Sequence, residues 1–155
     1  MHIHLLAVGT RMPGWVQTGF YDYTRRLPPE WRFVLKEIPA PKRGRSRIDH
    51  CVAVEGERLL TALPTDSRVT ALDIRGKVWS TEELAAHIGD WQLAGQQAAL
   101  LIGGSNGLAA ACIARANALW CLSRLTLPHA LVRIIVAEQL YRASTILRHH
   151  PYHRG

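Results

Sequence analysis

A chain of 155 residues is long enough to bury a core without disulfides or metals, and at 48% hydrophobic residues it is too apolar to be disordered. Its 19 Lys and Arg against 12 Asp and Glu give a formal charge of +7, which directs attention to a polyanionic partner. No apolar run reaches the ~18–20 residues of a membrane span, and Cys51, Cys112 and Cys121 lack the paired spacing of a zinc or disulfide framework.

The opening "MHIHLLAVGTRMPGW" has no basic region before its apolar stretch and no small-residue cleavage site, so no signal peptide is expected and a cytoplasmic location is. Within it, "HIHLLAVG" (2–9) reads as a strand closed by Gly9. Residues 13–27 open on Pro13 and repeat Trp15, Val16, Phe20, Tyr23 and Leu27 at helical spacing. "WRFVLKEI" (31–38) alternates as a half-exposed strand. A loop rich in proline and arginine follows, then a helix to about Leu63. "RVTALDI" (68–74) is a strand closed by "RGK". Ser80 and Glu83 form a capping box for a helix to about Leu93. "QAALLIGG" (97–104), apolar without alternation, is the most buried strand. A short helix at 109–118, a strand "WCLSRLTL" (120–127) and a long helix from about 131 to 148 complete the series. Strands alternating with helices predict one α/β domain over residues 1–155, with a mainly parallel sheet covered on both faces. Ligands in such sheets sit beyond the carboxyl ends of the strands, so the loops after residues 9, 73, 102 and 127 are the ones to watch.

Charge is segregated. From Trp91 to Gly155 the only acid is Glu138, against Arg115, Arg124, Arg133, Arg142, Arg148 and Arg154, and "PAPKRGRSR" (39–47) has no acid at all. Such segregation favours RNA or DNA over a merely solvated basic face. Lys42, Arg43, Arg45 and Arg133 are the candidate contacts.

Three segments carry possible chemistry. "LLIGGSNGL" (100–108) runs a buried strand into Gly103, Gly104 and Gly107, where bare amides let a ligand approach, though a plain tight turn fits equally. It is neither a dinucleotide fingerprint nor a P-loop. "LSRLTLPHALVR" (122–133) sets an apolar wall of Leu122, Leu125 and Leu127 beside His129 and Arg133, with Pro128 stopping the strand. That wall suits an adenine ring with an anionic neighbour. On the last helix, Glu138 and Arg142 have the favourable i,i+4 order of an ion pair, and Glu138 is a candidate to orient an arginine or accept a proton. The chain ends on "ILRHHPYHRG", with three of its eight histidines. Pro151 separates His149 from His153, so no metal site is expected. Tyr152, His153 and Arg154 instead resemble a set that stacks on a base and pairs with phosphate.

Together "LLAVGTRMPGWVQTGFYDYTRRL", "IPAPKRG", "LDIRGK", "LLIGGSNGL", "TLPHALVRIIVAEQLYRA" and "HPYHR" resemble the bacterial RlmH family of SPOUT-class methyltransferases, from first strand to tail. The resemblance implies a C-terminal trefoil knot, a homodimer and S-adenosylmethionine as methyl donor. It places the donor at Leu72 and Asp73, at Gly103 and Gly104, and at Ser123, Arg124, Leu125, Thr126, Leu127 and Pro128. The implied product is N3-methylpseudouridine in the helix 69 stem-loop of 23S ribosomal RNA, made on the assembled ribosome. Tyr152, His153 and Arg154 of one subunit would complete the site of the other. Arg142 or Arg154 would stabilise the anionic ring, and His129 or Glu138 would accept the N3 proton. The rival readings are a ribosome-binding factor that has lost the donor and a SPOUT enzyme acting on transfer RNA.

Overall fold

The computed structural model of the chain describes residues 1–42 and 47–154; Arg43 and Arg45 lie outside them. Strands and helices alternate: β1 (His2–Val8), α1 (Gly14–Thr24), β2 (Arg32–Ile38), α2 (Ile48–Ala62), β3 (Ser67–Val78), α3 (Thr81–Leu93), β4 (Gln97–Ile102), α4 (Ala110–Arg115), β5 (Ala118–Cys121) and α5 (His129–Leu147). The strands form one sheet in the order β2-β1-β4-β3-β5, and every neighbouring pair is parallel.

The pleat sends alternate side chains to opposite faces. Ile3, Leu5 and Ala7 of β1 and Ala98, Leu100 and Ile102 of β4 enter a core shared with Phe20 of α1, Leu84 of α3 and Leu140 of α5. Leu6, Val8, Ala99 and Leu101 enter the opposite core with Val69 and Ala71 of β3, Leu59 of α2 and Cys112 of α4. Both faces are therefore apolar, which is why β1 and β4 read as continuous hydrophobic runs. All three cysteines are free and buried. Among the described residues no helix is long and apolar enough to cross a membrane.

Local chemistry fixes several boundaries. The capping box of α3 is complete: Glu83 N–H donates to Ser80 Oγ at 3.1 Å, and Ser80 N–H donates to Glu83 Oε2 at 2.6 Å. Three boundaries differ from those read in the sequence. β3 continues to Val78, because it leaves β5 after Leu72 and rejoins it at Lys77, both residues pairing with Trp120. β5 stops at Cys121, so residues 122–128 are loop. There Cys121 Sγ donates to the Ser123 carbonyl at 3.0 Å, and Leu125 N–H donates to Ser123 Oγ at 2.9 Å. α4 is only Ala110–Arg115.

Arg133, expected at the RNA surface, is instead buried at 2% exposure. Its guanidinium donates to Glu37 Oε2 at 2.6 Å and to the Gly9 carbonyl at 2.7 Å, with a longer contact of 3.3 Å to the Val8 carbonyl. It ties α5 to the carboxyl ends of β1 and β2. Replacing it with methionine keeps the volume but strands those carbonyls. Arg133→Met should lose about 2–4 kcal/mol in urea unfolding, more than is typical of an exposed arginine.

Candidate active site

The carboxyl ends of β3, β4 and β5 enclose a cavity of about 850 Å³, within the ~300–1,000 Å³ typical of small-molecule sites. Three loops build it. The first is the excursion of β3 between Leu72 and Lys77, which leaves the ladder and delivers Asp73 and Arg75 to the cavity. It returns to the sheet through Gly76, where a β-carbon would lie 2.5 Å from the Leu119 carbonyl carbon and oxygen; only glycine fits so close a backbone.

The second loop is Gly103–Gly107, following β4. A tight turn closes it: Gly107 N–H donates to the Gly104 carbonyl at 3.0 Å, and the two residues form an isolated bridge. A β-carbon on Gly103 would meet the Gly107 carbonyl carbon at 2.7 Å. The third loop, residues 122–128, contributes Leu122, Ser123, Leu125, Thr126, Leu127 and Pro128, and α5 begins at once with His129, which also lines the cavity.

Of the expected donor-binding residues, Leu72, Asp73, Gly103, Gly104, Ser123, Leu125, Thr126, Leu127 and Pro128 all line this cavity. Arg124 is exposed and does not. Ile74, Arg75 and Trp120 line it too and had gone unnoticed in the sequence. The Trp120 indole N–H is buried with no acceptor among the described residues. A donor molecule with apolar rings and polar edges fits this set: leucine side chains for the rings and the backbone of the glycine loop for the polar edges.

Asp73 accepts from the Arg75 side chain at 2.9 and 3.0 Å and from the Arg75 amide at 2.8 Å. The side-chain hydrogen bond is the main reason its pKa is lowered; the amide bond and the Arg75 charge add to it, and burial opposes. A carboxylate whose pKa is lower in the folded chain stabilises it fully above the unfolded value near ~3.9 and loses that contribution as pH falls through the folded value. Asp73→Asn should therefore unfold at lower urea than the parent at pH 7. The gap should begin to narrow below pH ~3.9 and close only once pH has fallen through the lowered folded value.

Glu138, Arg142, Tyr152, His153 and Arg154 do not line this cavity within one chain. The first three form a cluster of their own. Glu138 Oε1 accepts from Arg142 Nε at 2.8 Å and from the Tyr152 hydroxyl at 3.3 Å, and its Oε2 accepts from Gln139 at 2.8 Å. The Arg142 guanidinium lies 4.8 Å from the centre of the Tyr152 ring. Burial first, then the Glu138 charge, raises the Tyr152 pKa, so its hydroxyl stays a donor. His153 Nε2 sits 2.9 Å from Glu82 Oε1, while Arg154 is exposed. Lys42 is exposed. Among the described residues no group of three His, Cys, Asp or Glu could hold a metal ion.

A parallel sheet with a glycine loop, a strand excursion and a leucine-rich loop around one cavity is an α/β ligand-binding architecture. The family described as "Predicted SPOUT methyltransferase" matches residues 1–153, and the chain belongs to it. Such methyltransferases draw their methyl group from S-adenosylmethionine. At closer range, the chain is 52% identical over 155 residues to the ribosomal RNA large subunit methyltransferase H of Thioalkalivibrio sulfidiphilus, covering 99% of both. It is 50% identical to the protein of the same name from Hahella chejuensis, again over 99% of both. A probable methyltransferase from Bordetella pertussis shares the fold at a TM-score of 0.57 and 18% identity, over 92% of this chain and 93% of that one.

Proposed function

We propose that the chain methylates N3 of a pseudouridine in the helix 69 stem-loop of 23S ribosomal RNA, on the assembled ribosome in the cytoplasm. The observation that carries the reading is the cavity itself: three separate loops expected to hold S-adenosylmethionine converge on it, in a chain half-identical to large-subunit methyltransferases. S-adenosylmethionine, when bound, supplies an electrophilic methyl group. The chain supplies position, which dominates an in-line displacement.

Its loops grip the donor through the Gly103–Gly107 amides and the walls of Leu72, Leu125 and Leu127. His129 is the acceptor for the N3 proton, because it lies on the cavity. Glu138 is already engaged by Arg142, Tyr152 and Gln139, and its role is to orient Arg142. Arg142 or Arg154 offsets the negative charge of the deprotonated ring. Lys42, with Arg43 and Arg45, contacts backbone phosphates, giving affinity without base choice.

The active unit is a homodimer of single-domain, trefoil-knotted subunits, and the tail of each completes the site of the other. Support comes from the tail's place outside the donor cavity of its own chain, which neither Tyr152, His153 nor Arg154 lines. The test is methyl transfer from labelled S-adenosylmethionine to intact ribosomes, separate subunits and naked RNA lacking the modification. Label confined to the large-subunit RNA of whole ribosomes supports the reading. Label on transfer RNA alone, or none despite donor binding, overturns it.

A further inference from the structure

The rim that holds the donor cavity continues past β4 to β1 and then to β2 at the edge of the sheet. There a second cavity, of about 270 Å³, opens between α1 and β2. Gly9, the residue after β1, lies near both. A β-carbon at Gly9 would lie 3.9 Å from His129 Nε2, which lines the first cavity, and 3.5 Å from Arg133 Nη2, which lines the second. The glycine has a positive φ of 111° and leaves this partition bare.

The smaller cavity has a definite chemical bias. Val16, Phe20 and Leu35 give it apolar walls. Gln17 spends one of its two amide N–H groups on the Met12 carbonyl at 2.7 Å, which leaves an N–H and the amide oxygen to offer. Glu37 gives Oε2 to Arg133 at 2.6 Å and has Oε1 to offer. The Glu37–Arg133 pair neutralises the carboxylate while keeping it an acceptor. Arg11 stands exposed in the same lining, on a backbone with φ of 60° that a side-chain-bearing residue rarely adopts. A pocket with aromatic and aliphatic walls and a carboxylate acceptor beside an amide does not suit phosphate. It suits a flat ring that carries an N–H donor and a carbonyl on its edge, with a cation at the mouth for the attached backbone.

We propose that this second cavity takes one unpaired uracil-type base of the RNA substrate. Phe20 and Leu35 hold the ring, and Glu37 accepts from its one imino N–H. Gln17 meets an adjacent ring carbonyl with its second amide N–H, and Arg11 pairs with a neighbouring phosphate. The occupant is a base other than the one methylated, whose N3 proton goes to His129. Its volume, below the ~300 Å³ floor of sites for larger ligands, limits the occupant to a single ring system. Donor and base would then lie side by side along one edge of the sheet, with His129 and Gly9 between them. The inference rests on the RNA-methylating reading above, and it adds a base-recognition site to it.

Two measurements test it on the full-length protein. In the first, ribosomes carrying 4-thiouridine are photo-cross-linked to the protein and the attached peptides are mapped. Cross-links within residues 12–20 or 33–37 are expected; their absence there, with cross-links elsewhere, overturns the proposal. This arm reads out even if the parent chain transfers no methyl group, an outcome that would sink the methyltransferase reading alone. In the second, Leu35→Trp fills the cavity and Glu37→Gln replaces one acceptor oxygen with a donor while still accepting from Arg133. Both variants should bind S-adenosylmethionine within about twofold of the parent by calorimetry and lose at least ~50-fold in kcat/KM on ribosomes. If both keep the parental kcat/KM, the cavity does not hold the base.

Discussion

Gly103→Ala should weaken S-adenosylmethionine binding by more than ~100-fold, equivalent to about 2.7 kcal/mol, while the chain remains folded. A methyl group at this position would sit 2.7 Å from the Gly107 carbonyl carbon and 2.8 Å from its oxygen. Those are backbone atoms, so no rotamer change relieves the overlap. The loop can accommodate the methyl only by opening the Gly104–Gly107 bridge, and opening it moves the amides proposed to grip the donor. The fold should survive because the loop lies beyond the last residue of β4, and the strand's own pairing with β1 and β3 is untouched.

Gly107→Ala is the matching control. Gly107 has a positive φ of 81°, yet nothing lies within 4 Å of where its β-carbon would go. Its penalty is left-handed backbone strain alone, roughly 1–2 kcal/mol, and the bridge can persist. Donor affinity measured by calorimetry should fall less than about tenfold. Equal losses in the two variants would mean that any side chain in this loop disrupts it, and that the Gly103–Gly107 contact holds no special place in the site.

The same contact shows what the sequence could and could not disclose. "LLIGGSNGL" announces a buried strand entering a glycine loop, because apolar runs and glycines act locally. The capping box of α3 was legible for the same reason. The excursion of β3 was not. "LDIRGK" looks like a strand that ends, whereas its geometry depends on rejoining Trp120 of β5 some 43 residues later. Trp120 itself carries no local sign of lining a cavity. "WCLSRLTL" has the apolar content of a strand, but β5 pairs only with β3, and beyond Cys121 the chain becomes the third loop of the site. Arg133 is the sharpest case. Counted with its basic neighbours it belongs to a charged surface, but Glu37, 96 residues away, and two strand-end carbonyls draw it inside. Charge patterns describe composition; burial is decided by partners distant in the chain.

Truncation after His149 should abolish methyl transfer, by at least ~1,000-fold, or about 4.1 kcal/mol, and leave donor binding intact. None of residues 150–154 lines the donor cavity of its own chain, so affinity for S-adenosylmethionine should not change. The tail nonetheless has local partners. Tyr152 packs against Tyr141 with ring centroids 4.6 Å apart, covers Arg142 and reaches Glu138. Its removal should therefore lower the melting temperature modestly, since the losses are side-chain contacts on α5 and α3 and the single His150 N–H bond to the Thr145 carbonyl. A purely structural tail predicts a different outcome: activity that falls only in proportion to the folded fraction and recovers on cooling. A mixed dimer separates these readings further. Pairing one truncated chain with one chain carrying Gly103→Ala leaves a single combination, the truncated chain's intact cavity served by the other chain's intact tail. Activity near half the parental level in the isolated mixed dimer, with neither variant active alone, would locate the tail in the neighbouring site. A mixture as inactive as its components would show that each tail serves its own chain.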